Sequence, residues 1–228
     1  MTTDHFIMTD GERIPIVYTA KSGARNIILR PKIAPVRELH VSIPRLTPVS
    51  RARVFIEEKR RWLERIFARA PQKVKLRDGD TINIFGEEYL ILHSAGDINA
   101  EQKYIAVGGS PEFFERRLRD KIKEMFLIRV KEILKPVPQA LRPSRIVVRD
   151  TTSRWGSCSS TGTISLSYRL AFAPPDIMKY VIMHELAHRK HMDHSPKFWG
   201  LLGQLYGPGV ERAKQWLSKN GQTLHRYF

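Results

Sequence analysis

HELAHRKHMDH, residues 184–194, places four histidines, a glutamate and an aspartate in one short segment. The preceding stretch, IMKYVIM (177–183), is apolar apart from Lys179, and Pro174, Pro175 and Asp176 mark a helix start. A helix that is apolar almost all round is buried, so this one carries imidazoles into the protein interior. His184 and His188 are four residues apart, about 40° around the helix axis and roughly 6 Å along it. Both rings can reach one ion, with Glu185 flanking the same face. Two neutral imidazoles as ligands and a carboxylate as general base make the H-E-x-x-H arrangement, and nitrogen donors around an open tetrahedral position favour one Zn2+.

Zinc hydrolases usually present three protein ligands. Ser195-Pro196 reads as an N-cap and first-turn proline of a new helix, so the chain turns between His188 and Ser195. His194 lies just before that helix, where a turning chain swings back toward the metal. It is the preferred third ligand, with His191 in reserve as a ligand or substrate-side group. Asp150 and Asp193 are candidates to orient ligand imidazoles through their other ring nitrogen or, equally, to cap a helix or turn. Tyr168 and Tyr180 are candidate donors to a transition state or, equally, core aromatics.

Upstream, SRWGSCSSTG (153–162) follows Arg154 and Trp155 with small residues that let backbone N–H groups approach a ligand closely. Arg154, Trp155 and His191 are candidate substrate-binding residues. A salt bridge for Arg154 and core packing for Trp155 are the competing readings. Cys158 is the single cysteine, so no internal disulfide forms, and it reads as a small buried residue. The strand TISLS (163–167), just before the metal helix, is expected to expose an edge to which an extended peptide could add.

The rest of the chain is ordinary in composition, with 42% hydrophobic and 9% aromatic residues among 228. No stretch approaches the roughly 20 apolar residues of a membrane span, and the first residues lack a basic start followed by an apolar run. A cytoplasmic, reduced protein without a membrane partner is expected. The net charge of +16 points to an acidic partner. Between Arg25 and Lys73 thirteen Lys/Arg face four Asp/Glu, which makes nucleic acid a candidate partner of the N-terminal half. A plain solvated basic face is the alternative, since no nucleic-acid motif is present and aromatics are not interleaved with the arginines as base stacking wants.

Residues 1–109 read as a β-rich part with one helix. NIILRPK (26–32), ELHVSIP (38–44), the hairpin TINIFGEEYLILHSA (81–95) and KYIAVGG (103–109) supply strands. VSRARVFIEEKRRWLERIFARA (49–70) reads as a helix capped by Ser50, with Phe55, Trp62 and Ile66 on one face. A boundary is expected near Gly109. In the 110–228 part, Phe114, Leu118, Ile122, Phe126, Val130 and Leu134 recur at helical spacing behind Ser110-Pro111. The fold class is thus α+β, with a metallohydrolase domain behind the β-rich part.

RWGSCSSTGTISLSYRLAFAPPDIMKYVIMHELAHRKHMDHSPKFW (154–199), with EEKRRWLERI (57–66) and FGEEYLIL (85–92), resembles the YgjP-like metallopeptidase family, which is related to the SprT-like and WLM zincins. The resemblance implies a zincin-like C-terminal domain, His184, His188 and His194 as metal ligands, and Glu185 as catalytic base. Ser167 departs from it, since many relatives carry Asn there. The resemblance also brings a rival chemistry, because activity on nucleotide phosphoanhydrides is associated with such proteins. Three functions follow: a zinc peptidase acting on a polypeptide, a metal-dependent phosphohydrolase (pyrophosphatase) acting on a nucleotide, and a nucleic-acid-associated protease or binding protein.

Overall fold

The structure is a computed structural model that describes residues 4–32, 37–68, 73–96, 98–151 and 154–228. It is a mixed α+β protein that divides into two compact units, Met1–Gln72 and Lys73–Phe228.

The first unit is a four-stranded sheet with two helices. β1 (His5–Ile7) runs antiparallel to β2 (Arg13–Lys21), and β2 runs parallel to β4 (Glu38–Pro44). β4 runs antiparallel to β3 (Ile28–Lys32), giving the order β1-β2-β4-β3. The alternating Leu39, Val41 and Ile43 of β4 are all buried, as their spacing predicts. The expected single helix is two, α1 (Val49–Glu58) and α2 (Arg60–Ala68), because the backbone leaves helical angles at Lys59 (φ −97°, ψ 8°). Pro48, not Ser50, holds the N-cap position. The buried stripe is Ala52, Ile56, Leu63 and Phe67, at i, i+4, i+11 and i+15, and it joins the sheet core of Phe6, Ile14 and Leu39. Phe55, Trp62 and Ile66 stand one position beside that stripe, and Trp62 is 38% exposed.

The second unit contains two sheets. β5 (Thr81–Ile84) and β6 (Glu87–Leu92) form the expected hairpin, β8 (Tyr104–Ala106) lies parallel to β6, and β7 (Ile98–Asn99) completes the order β5-β6-β8-β7. α3 (Phe114–Leu134) buries all six residues of the predicted stripe. Ile82, Ile84 and Ile91 share one core with that stripe and with Ile177, Val181 and Leu186, so Gly109 lies inside the second unit rather than at a boundary.

The other sheet has the order β10-β11-β9, from β9 (Arg145–Arg149), β10 (Gly156–Cys158) and β11 (Thr163–Ser167). β11 pairs on both sides, antiparallel to β10 and parallel to β9. TISLS is therefore a mid-sheet strand, which overturns its reading as an exposed edge. The loop expected over residues 151–162 contains the strand β10. Three helices follow: α4 (Pro175–Ala187), α5 (Pro196–Tyr206) and α6 (Val210–Asn220). No helix among the described residues is long and apolar enough to cross a membrane.

Candidate metal centre

α4 is fixed at both ends. At its start, the β5–β6 turn reaches it through Phe85 (φ 57°) and Gly86 (φ 83°). The Phe85 N–H donates to the Ala171 carbonyl at 2.7 Å, and a Cβ on Gly86 would meet Pro175 Cδ at 3.3 Å. Two consecutive positive-φ residues make a tight hairpin turn, and glycine carries the position that sits against α4. Along the helix, Ile177, Met178, Val181, Ile182, Met183, Leu186 and Ala187 are buried, which accounts for the nearly unbroken apolar run.

The helix stops at Ala187, with His188 as its C-cap. One more turn follows, closed by the His191 N–H donating to the Ala187 carbonyl at 3.0 Å. The chain then extends to Ser195 and enters α5 at Pro196, as the Ser-Pro signal predicts, although the Ser195 hydroxyl makes no cap bond. This reversal brings His194 back onto α4. One ligand atom from each of His184, His188 and His194 lies within 4.8 Å of the others. His194 Nε2 is 3.3 Å from His184 Nε2. Zn–N bonds of about 2.0–2.1 Å at tetrahedral angles require an N···N edge of roughly 3.3–3.4 Å, so this pair matches the spacing of two ligands on one zinc.

His188 Nδ1 donates to the His191 carbonyl at 2.9 Å, which leaves Nε2 free to accept a metal. His191 thus contributes its backbone, while its imidazole lies outside the three-histidine cluster. His184 Nδ1 is buried without a partner among the described residues. Burial, reinforced by the neighbouring His188 and His194, holds the His184 imidazole down at about 4. A ring kept neutral is the form that ligates metal.

Phe198 of α5, which sequence reasoning missed, forms the floor. It is fully buried, and its ring centroid lies 4.9, 4.6 and 4.7 Å from those of His184, His188 and His194. Trp199 stands beside His194 at 5.8 Å. Phe198 sits two residues after the Ser-Pro helix start, on the turn that faces back toward α4. Its apolar position was readable, but its contact with all three imidazoles depends on how α4 and α5 meet.

Glu185 is 5% exposed, and burial pushes its carboxyl up to about 7 against the opposing pull of Arg154. It packs against Gly156 of β10. A Cβ on Gly156 would lie 2.6 Å from Glu185 Cγ and 2.7 Å from Cδ, so any larger residue there would force the glutamate side chain to shift. Gly156 is the second residue that sequence reasoning did not single out. The only trace of it was the run of small residues after Trp155.

Of the other candidates, Arg154 is exposed and acts electrostatically on Glu185. Trp155 turns its ring to His225, with centroids 5.3 Å apart, and lies against Gly221. Cys158 is half-buried and outside the histidine cluster, and burial together with Glu185 raises its thiol. Asp150 accepts from Arg169 Nε at 2.8 Å, and Asp193 accepts from the Ser195 N–H at 3.4 Å. The hydrogen bonds of these two carboxylates therefore go elsewhere than to the three imidazoles. The Tyr180 ring lies 6.0 Å from that of His184, tilted by 57°. Tyr168 is fully buried, its hydroxyl unpartnered among the described residues and raised by burial to about 12. Ser167 is buried, its hydroxyl 3.5 Å from the Thr151 carbonyl.

Among solved structures, the chain is similar to the metallopeptidase zymogen abylysin of Pyrococcus abyssi, with 26% identity over 42% of this chain and 92% of that one and a TM-score of 0.33. It is also similar to the metallopeptidase zymogen jannalysin of Methanocaldococcus jannaschii, with 22% identity over 41% of this chain and 94% of that one and a TM-score of 0.34. No curated protein matches. A family model described as the YgjP-like metallopeptidase domain matches residues 25–220, so the chain belongs to the YgjP-like metallopeptidase family.

Proposed function

We propose that the chain is a zinc-dependent peptidase in which His184, His188 and His194 hold one ion and Glu185 is the general base. The observation that carries this reading is the convergence of the three imidazoles beside a buried glutamate. Bound zinc would supply Lewis acidity toward a scissile carbonyl and toward water. The chain's own residues do the rest. Glu185, buried beside the three imidazoles, accepts the proton of the attacking water and returns it to the leaving amine. Phe198 gives the imidazoles an apolar floor that fixes their orientation, while His194 faces solvent on the open side.

The strand edge available to a peptide belongs to β10 rather than to TISLS. The Ser167 N–H donates to the Trp155 carbonyl and the Ser159 N–H to the Thr163 carbonyl, both at 2.9 Å. Trp155, Ser157 and Ser159 therefore point their backbone groups at β11, while Gly156 and Cys158 point theirs to the open side. An extended substrate pairing there would lie beside Glu185.

The test compares metal-loaded protein on casein and on nucleoside triphosphates, with the Glu185→Gln variant as control. Peptide products that vanish in the variant support the proposal. Phosphate or pyrophosphate release from nucleotides without peptide cleavage overturns it in favour of phosphoanhydride hydrolysis.

A further inference from the structure

The first unit carries a groove that the metal centre does not use. One cavity of about 780 Å3 includes Arg25, Ile27, Arg51 and Phe55 in its wall, and a second of about 470 Å3 includes Ile27, Phe55, Lys59 and Trp62. The two are neighbours that share Ile27 and Phe55 in their walls, and the second is bounded by Ile28 and Leu29 of β3. Arg51 and Phe55 lie four apart on α1, Lys59 is its C-cap, and Trp62 is in the first turn of α2; Arg51 and Phe55 line the first cavity together, and Phe55, Lys59 and Trp62 the second. The sequence showed no aromatic residue set among cations as a stacking platform. On the folded helices Phe55 and Trp62 line the same cavities as Arg51 and Lys59.

The charges of the trough are one-sided. Arg25, Arg51 and Lys59 line it against a single carboxylate, Glu58. None of these three cations makes an ion pair among the described residues, whereas nearby Arg53 and Arg60 are occupied by Asp4 and Glu57. Lys59 Nζ lies 5.5 Å from the Phe55 ring centroid. Trp62 is 38% exposed, which leaves part of a large aromatic face open. The adjacent edge strand β3 carries Pro31 and Lys32, features that discourage strand addition by a peptide. The trough therefore suits a polyanion with flat apolar groups.

We propose that this groove binds single-stranded nucleic acid, with Arg25, Arg51 and Lys59 on backbone phosphates and Trp62 and Phe55 under unstacked bases. Stacking needs bases free of a duplex, and unpaired cations release counterions when they meet phosphates. The groove shares no residue with the metal centre and does not rest on the peptidase reading.

The experiment is fluorescence anisotropy of labelled twelve-residue oligo-dT, oligo-rU and a mixed-sequence duplex with the full-length protein, across a salt series. Either single strand binding at least tenfold tighter than the duplex supports the proposal, and the better of the two names the sugar. Arg51→Ala with Lys59→Ala is expected to weaken binding at least tenfold and to flatten the log–log salt slope by about 1.4. Trp62→Ala is expected to weaken it about tenfold with the slope unchanged, and Trp62→Phe to restore most of the loss. Lys135→Ala with Lys219→Ala removes the same charge elsewhere and should shift affinity less than twofold. The proposal is overturned by equal losses in the groove and control pairs, by no binding at 100 mM salt, or by polyglutamate of equal charge displacing the oligonucleotide equally well.

Discussion

Gly156 and Glu185 touch so closely that the glutamate occupies the space where any other residue at position 156 would place its Cβ. The carboxylate is thereby located against the backbone of an edge strand rather than by a hydrogen bond to a side chain. Gly156→Ala is expected to displace Glu185 and lower peptidase activity about 100-fold while zinc stays bound, since a misplacement near 1 Å has effects of that size. Steady-state kinetics beside metal analysis checks this. Unchanged kcat in a zinc-replete variant would show that the contact does not position the base.

Glu185→Gln keeps the shape of the side chain and removes its basicity. Zinc content should match the parent protein and turnover should fall by a factor of about 100 to 10,000. Single-turnover peptide cleavage on zinc-loaded protein gives the answer, and retained activity would remove the glutamate from the chemistry.

Phe198→Ala empties the floor under three imidazoles. The loss of a fully buried ring is expected to lower stability by about 3–5 kcal/mol. Zinc affinity should drop roughly 10- to 100-fold, because the rings lose the wall that orients them. Denaturant unfolding and competition with a chromogenic chelator measure the two effects separately. Phe198→Leu, which keeps an apolar floor, should recover most of the stability.

His225 is buried against Trp155, and burial, with Arg169 adding, holds its imidazole down at about 4 against an ordinary value of 6.5. Between those values the unfolded chain binds a proton that the folded chain refuses. Stability contributed by this residue is therefore complete above about pH 6.5 and is lost as pH falls toward 4. His225→Phe keeps a ring against Trp155 without a titrating group. The drop in Tm between pH 7 and pH 5 should be smaller in the variant than in the parent, and an equal drop would place the pH sensitivity elsewhere.

Where function depends on local spacing, the sequence was informative. The six-residue stripe of α3, the proline-marked start of α4, the turn after His188 and the Ser195-Pro196 restart of a helix all follow from short-range rules. Those rules also place His194 where it can meet His184. What escaped was set by contacts between distant segments. Gly156 is legible only once β10 lies on α4, and Phe198 only once α5 folds under it. TISLS alternates like a half-buried strand, and nothing in its own residues says that β9 and β10 take both its edges. Likewise α1 and α2 offered two adjacent apolar rows, and the sheet beneath them selected Ala52, Ile56, Leu63 and Phe67 rather than the row holding Trp62.

Metal stoichiometry tests the central claim most directly. Protein purified without added metal, reconstituted with zinc and freed of excess by gel filtration is analysed by inductively coupled plasma mass spectrometry. One zinc per chain is predicted for the parent and for Glu185→Gln, with far less than one for His188→Ala and His194→Ala. A parent that retains no zinc, or histidine variants that keep it stoichiometrically, would contradict the account.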